Sequence, residues 1–224
     1  MTEITEKRKQ FYQRIASRRQ KDFVLVLEDI HDSHNIAAIL RSADAFGIQK
    51  IYLIFENQEE FDPRERKFRK SSAFTNKWLD FEVFDSTKIC LEKLKSENFS
   101  IISTILDEEA QNFFETDFTK TKKIALVLGN EHKGISETVK RMADWKVYIP
   151  MQGFAESFNV SVAAAICLSE MTRQRKEALF HLSKKEQTTL VQQFIKKQIE
   201  IKEFKQEQKE ERKVKAKKRH SSNS

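Results

Sequence analysis

Six short apolar runs limit what this chain can fold into. They are "FVLVLEDI" (23–30), "KIYLIF" (50–55), "DFEVF" (80–84), "SIISTIL" (100–106), "KKIALVLG" (122–129) and "KVYIP" (146–150). Most are near-continuous in Val, Ile, Leu and Phe, the pattern of strands covered on both faces. Between them the apolar residues fall at helical spacing, over 33–46, 86–96 and 136–143. Asp32 or Ser33 is the expected N-cap of the first of these helices and Gly47 its stop. Strands alternating with helices predict an α/β domain on a mostly parallel sheet with helices on both faces. Helical patterns also cover 4–20, with Ile4, Phe11 and Ile15 on one side, 157 to about 176, and 184–213, ahead of a fraying tail "KAKKRHSSNS".

With 224 residues, 39% of them hydrophobic, the chain suits one main domain with extensions. It has no apolar run of 18 residues, and its first 20 residues are charged, so neither a membrane span nor a secretory signal is expected. Cys90 and Cys167 read as buried thiols in a cytoplasmic protein, not as a disulfide or metal site. The formal charge of +7 is unevenly spread: +5 over 1–21, −7 over 22–171 and +9 over 172–224. Basic ends on an acidic middle fit extensions that meet a polyanion such as RNA. The bland alternative is a pair of solvated helices. Three parts follow: a basic helical extension (1–21), a central domain (22–171), and a basic helical extension with a disordered tail (172–224).

In parallel sheets ligands sit at the carboxyl ends of the strands. Three such ends carry unusual polar text: "EDIHDSHN", "GNEHKGIS" (129–136) and "PMQGFAESFNVS" (150–161). None is a Walker loop or a GxGxxG fingerprint, which disfavours nucleoside triphosphates and NAD. Arg41 sits among Ala38, Ile39, Leu40 and Ala43, where a buried guanidinium would have to be paired. Taken singly, Asn35 reads as a first-turn cap and Glu131 as an acid near a helix start. Ser157 and Asn159 read as cap and turn residues, and His31, His34 and His132 as polar loop residues.

Together, "HNIAAILRSADAFGI", "LVLGNEHKGIS" and "YIPMQGFAESFNVSVAAAI" resemble the three motifs of the SPOUT RNA 2′-O-methyltransferases, nearest to the tRNA guanosine-2′-O-methyltransferases of the TrmH type. The resemblance covers about 23–171. It implies a deep C-terminal trefoil knot, S-adenosylmethionine as cofactor and an obligate homodimer, with no metal. Matched residue by residue, it implies a catalytic set of Asn35, Arg41, Glu131, Ser157 and Asn159. It also implies a cofactor cradle of Thr104, Gly129, Asn130, Ile149, Met151 and Phe158, working largely through backbone groups. Phe158 departs from the Leu usual there, and "SSAFTNKW" (71–78) lacks a common Gly. Arg41 is expected to reach the partner's cleft and bind the phosphate beside the target ribose; its pKa, about 12 or more, makes it a poor base at neutral pH. Arg8, Arg18, Arg19, Arg173 and Arg175 are the expected tRNA phosphate contacts. The implied substrate is guanosine 18 of the tRNA D-loop. Ribosomal RNA, another tRNA position, or an RNA-binding knot without catalysis are the alternatives.

Overall fold

A computed structural model describes residues 4–63, 75–107 and 109–221, with side chains up to residue 203. The basic cluster Arg64, Arg66, Lys67, Arg69 and Lys70 and the stretch 71–74 lie outside the described residues. The elements run α1 (Glu6–Ala16), β1 (Phe23–Glu28), α2 (Ser33–Ala45), β2 (Lys50–Ile54), β3 (Asp80–Phe84), α3 (Thr87–Ser96), β4 (Ser100–Thr104), β5 (Gln111–Asn112), β6 (Ile124–Leu128), α4 (Glu137–Met142), β7 (Trp145–Tyr148), α5 (Val160–Gln174) and α6 (Lys184–Ser221). The seven strands form one sheet, ordered β3-β2-β1-β6-β4-β7-β5. Every ladder in it is parallel.

The sheet separates two apolar cores, as a strand period of two requires. Phe23, Leu25 and Leu27 of β1 point to one face, under Ile36, Ile39 and Leu40 of α2 and Cys167, Leu168 and Met171 of α5. Val24 and Val26 point to the other, under Cys90, Leu91 and Leu94 of α3 and Val139 of α4. Fully burying one such aliphatic side chain contributes about 1.5–3 kcal/mol. Both cysteines are free and buried, and burial pushes both thiols up to about 12, so neither is a ready nucleophile.

Local chemistry sets the helix ends. Asp32 caps α2 by accepting from His34 N at 2.7 Å. Gly47 ends it with φ +80°, and a Cβ there would stand 2.5 Å from the Arg18 carbonyl oxygen. β5 is the one strand without a sequence signal, being two polar residues paired to Val147 and Tyr148 of β7.

The chain divides into two compact units, one of residues 18–182 and one joining 1–17 to 183–224. These units part at 17 and 182, outside the expected boundaries at 21 and 171. Gln20 bridges to His181, and Lys21 N donates to Phe180 O at 2.6 Å, which ties 18–21 and 172–182 to the sheet domain. In the smaller unit α1 packs on α6: the rings of Tyr12 and Phe194 lie 5.7 Å apart, and Gln198 Oε1 accepts from Tyr12 Oη at 3.3 Å and from Arg8 at 3.1 Å. The α6 backbone stays helical to Ser221, through most of the tail expected to fray. Among the described residues no helix is long and apolar enough to cross a membrane.

Candidate active site

The loops after β4, β6 and β7 enclose a cleft of about 570 Å³ at the carboxyl end of the sheet. Thr104, Gly129, Asn130, Ile149, Met151 and Phe158 all line it, together with Glu131, Ser157 and Asn159. A second cavity, of about 440 Å³ and including Asp117, Asp144 and Trp145, shares no lining residue with it. Among the described residues no group of three or more His, Cys, Asp or Glu is placed to hold a metal ion.

A directed hydrogen-bond chain joins the three strand ends. Asn159, the N-cap of α5, accepts through Oδ1 from Ser161 N at 2.9 Å and Ser161 Oγ at 2.6 Å. Its amide nitrogen must therefore face away, and it donates to Asn35 Oδ1 at 3.0 Å. Asn35 Nδ2 in turn donates to Glu131 Oε1 at 3.0 Å. The Glu131 carboxylate also accepts from His31 N and Asp32 N, each at 3.2 Å. Every polar atom that fixes the Asn35 amide is thus supplied by another motif.

Burial would push the Glu131 carboxyl up, but the bonds from Asn35 and from backbone N–H groups outweigh it and hold the group below the ordinary 4.5. Glu131 is therefore ionised at neutral pH. With its folded pKa below the unfolded value, its contribution to stability is present above about 4.5 and lost as the pH falls through the lower value. Denaturant midpoints of the parent and of Glu131→Gln between pH 3 and 6 should converge on acidification. Parallel curves would show that the carboxylate is not so held.

The second motif is shaped by Asn130 and Gly129. Asn130 Oδ1 accepts from His132 N at 2.9 Å and Lys133 N at 3.0 Å, while its Nδ2 donates to Asp29 O at 2.8 Å. These bonds tie the side chain to its own turn and to the loop after β1, which leaves mainly backbone for a ligand. At Gly129 a Cβ would lie 2.3 Å from the Gly134 carbonyl carbon and oxygen, and backbone cannot yield as a side-chain tip can. Gly129→Ala should lower affinity for whatever occupies the cleft by at least about tenfold, since a misplaced loop forfeits at least one hydrogen bond to it; calorimetric titration checks this.

Arg41 is exposed, not buried, and has no hydrogen-bond or ion-pair partner among the described residues. On a helix turning about 100° per residue it faces the same side as His34 and Ala45, both exposed. Among the described residues the buried arginines are Arg19 and Arg175, at 1% and 0% exposure. Arg19 donates to the Asp44 carboxylate at 2.5 Å and the Asp44 carbonyl at 3.0 Å. Arg175 donates to the carbonyls of Phe118, Thr121 and Lys122 at 3.1, 2.7 and 2.6 Å, and lies 4.0 Å over the Phe180 ring. Neither can meet an RNA phosphate while so engaged, and both leave the expected RNA-binding set. Arg8, Arg18 and Arg173 remain exposed, Arg173 forked onto Glu170 at 2.6 and 2.7 Å.

Residues 22–169 match the SpoU rRNA Methylase family over about two thirds of the chain. The chain belongs to this family. Over 178 residues, 80% of this SpoU methylase and 88% of the relative, it is 37% identical to a tRNA (guanosine(18)-2′-O)-methyltransferase of Thermus thermophilus. The solved A. aeolicus TrmH/SpoU tRNA modifying enzyme superposes with a TM-score of 0.73 at 33% identity, covering 84% of this chain and 94% of that one. The SpoU methyltransferase AviRb of Streptomyces viridochromogenes, solved with the cofactor AdoMet, gives a TM-score of 0.61 at 28% identity, over 72% of this chain and 61% of that one.

The two acids that open the first polar strand end of this SpoU methylase hold its loops together, a role the sequence did not assign them. Glu28, buried, accepts from Thr87 Oγ1 at 2.8 Å and Ser136 N at 2.9 Å, fixing the start of α4. Asp29 adopts φ +50° and accepts through Oδ1 from Glu56 N at 2.9 Å and Asn57 N at 3.1 Å. Acid directly after an apolar strand, "LED", is the available signal for both.

Proposed function

We propose that this chain is an S-adenosylmethionine-dependent ribose 2′-O-methyltransferase of tRNA, acting on guanosine 18 of the D-loop as a cytoplasmic homodimer. The observation that carries the reading is the cleft at three strand ends, bordered by the interlocked amides of Asn159 and Asn35 and the carboxylate of Glu131. The relatives named as tRNA (guanosine(18)-2′-O)-methyltransferases, matched over most of their length, support the substrate. The AdoMet complex of the Streptomyces relative supports the cofactor. A chain passing from β6 to β7 must cross β4, which lies between them, and this supports the knot. Phe158 and Val162, 39% and 45% exposed beside the cleft, support a second copy packing there.

Bound in the cleft, S-adenosylmethionine supplies a sulfonium-activated methyl group. Gly129, Ile149 and Met151 would hold it largely through backbone groups, since the Asn130 side chain is already committed. Glu131 already accepts three hydrogen bonds and orients Asn35; it does not take the proton. Arg41, without a polar partner among the described residues, reaches across the two-fold axis and grips the phosphate next to the target ribose, bidentately. The phosphate so held assists loss of the 2′-hydroxyl proton, and alignment of donor and acceptor does the rest. Arg8, Arg18 and Arg173 contact further phosphates.

The family's description as rRNA methylases favours one second reading, the same chemistry on ribosomal RNA. Purified protein given methyl-labelled cofactor with tRNA and, separately, ribosomal RNA separates the two. Label in 2′-O-methylguanosine of the tRNA D-loop is expected; label in ribosomal RNA alone overturns the proposal.

A further inference from the structure

The hydrogen bonds around His31 fix which of its ring nitrogens carries the proton. Gln58 Nε2 donates to the Ile30 carbonyl oxygen at 3.1 Å, and a carbonyl can only accept. The amide orientation follows, so Gln58 Oε1 is the atom in contact with His31 Nδ1. That oxygen can only accept as well. In the neutral ring Nδ1 therefore carries the hydrogen, and Nε2 is a bare acceptor. Nε2 has no partner among the described residues, and His31 is exposed.

The acceptor is held in place. Asp29 clamps the segment carrying Gln58: its Oδ1 takes Glu56 N and Asn57 N, and its Oδ2 takes Asn57 Nδ2 at 2.8 Å. On the other side, the His31 backbone N–H donates to Glu131, the carboxylate that orients Asn35. His31 is thus rooted in the hydrogen-bond chain beside the cleft, with its tautomer set from the opposite side. A loop histidine whose only task was to satisfy Gln58 would not need a clamp of this kind.

We infer that His31 is a positioning residue for the RNA: its Nε2 accepts a hydrogen bond from an N–H or O–H donor of the nucleotide to be methylated. On the function proposed above, on which this inference rests, that nucleotide is a guanosine. Its donors are the N1–H and the 2-amino group of the base and the ribose 2′-hydroxyl. No proton is transferred at this contact; the histidine orients the sugar or the base while Arg41 grips the phosphate.

The test is a binding cycle between protein and RNA, read by filter binding of the full-length protein to an unmodified tRNA transcript without cofactor. His31→Ala should weaken binding about five- to tenfold, the range for one hydrogen bond. Three altered transcripts carry inosine, which lacks the 2-amino group, 2-aminopurine, which lacks the N1 hydrogen, or 2′-deoxyguanosine at the target position. One of them should bind as weakly to the parent as the normal transcript binds to His31→Ala, with no further loss when both changes are combined. That transcript identifies the donor. His31→Gln, whose amide oxygen reaches about where Nε2 lies, should recover binding to within about twofold. Full additivity with all three transcripts would overturn the inference. So would a loss of RNA affinity matched by equal losses of thermal stability and of S-adenosylmethionine affinity. Because the cycle reads affinity and not turnover, failure of the proposed methylation would appear separately, as absence of methyl transfer by the parent protein.

Discussion

Replacing Arg41 with alanine lowers turnover by about a hundred- to a thousandfold, the loss typical of removing one charged contact to the reacting centre. Affinity for S-adenosylmethionine stays within about threefold, because the side chain projects away from the core of its own chain and makes no polar contact among the described residues. Arg41→Lys does little better, since an ammonium cannot grip a phosphate through two parallel N–H bonds. The cross-subunit part of the account is separable. Arg41→Ala chains and Gly129→Ala chains, assayed at a cofactor concentration that leaves the Gly129→Ala homodimer mostly unloaded, are combined in one heterodimer. If the arginine serves the neighbouring cleft, one composite site in that species is intact and about half of the parent activity returns. If the arginine serves its own cleft, both sites carry a lesion and the mixture stays inactive. Rapid turnover by the Arg41→Ala homodimer would remove the arginine from the mechanism altogether.

The second large effect is on stability. Arg175→Met deletes a guanidinium that satisfies three backbone carbonyls and covers the Phe180 ring. Burial draws its pKa down to about 10, with Asp22 acting in the opposite sense, so the group is still charged at neutral pH. Methionine fills much of the volume but donates nothing, leaving the Phe118, Thr121 and Lys122 carbonyls short of a partner. Breaking a buried charged network of this kind costs about 3–5 kcal/mol. For a domain of this size that lowers the melting temperature by roughly 10 °C. Arg173→Ala, two residues away and exposed, should leave the melting temperature within about 2 °C, as surface substitutions do, while weakening tRNA binding. A melt of Arg175→Met indistinguishable from the parent would mean that the carbonyls find water instead.

The contrast between these arginines marks what the sequence could and could not supply. Arg41 looks buried because its neighbours in the text are apolar. Buried positions on a helix recur at 3.6 residues, however, and Ile36, Ala37, Ile39, Leu40 and Ala43 define an arc that leaves Arg41 outside. Periodicity, applied strictly, would have exposed it. Arg19 and Arg175 lie in polar text, and their burial depends on long-range partners, Asp44 and the loop before β6, that no local pattern announces. The strands were legible for the opposite reason. β1, β2 and β6 are covered on both faces, so their runs are continuously apolar. β5, two residues at the sheet edge, has no such run and owes its place to pairing with β7 alone.

The cleft was legible for its lining and illegible for its wiring. The polar strand ends, and the family resemblance they carry, pointed to residues that do border it, including all six that the resemblance implied for the cradle. That Asn159, Asn35 and Glu131 form a one-way chain depends on which amide face each turns to the next, and spacing carries no such information. The same holds for Asp29, whose left-handed backbone and fully engaged carboxylate link two loops.

The most direct test of the account is calorimetric titration of the full-length protein with S-adenosylmethionine. Saturable binding of one equivalent per chain is expected for the parent, with affinity lowered at least about tenfold by Gly129→Ala, whose added methyl group would press on the Gly134 backbone. A flat titration of the parent, or equal affinity in the two proteins, would contradict the claim that the cleft at the three strand ends holds the methyl donor.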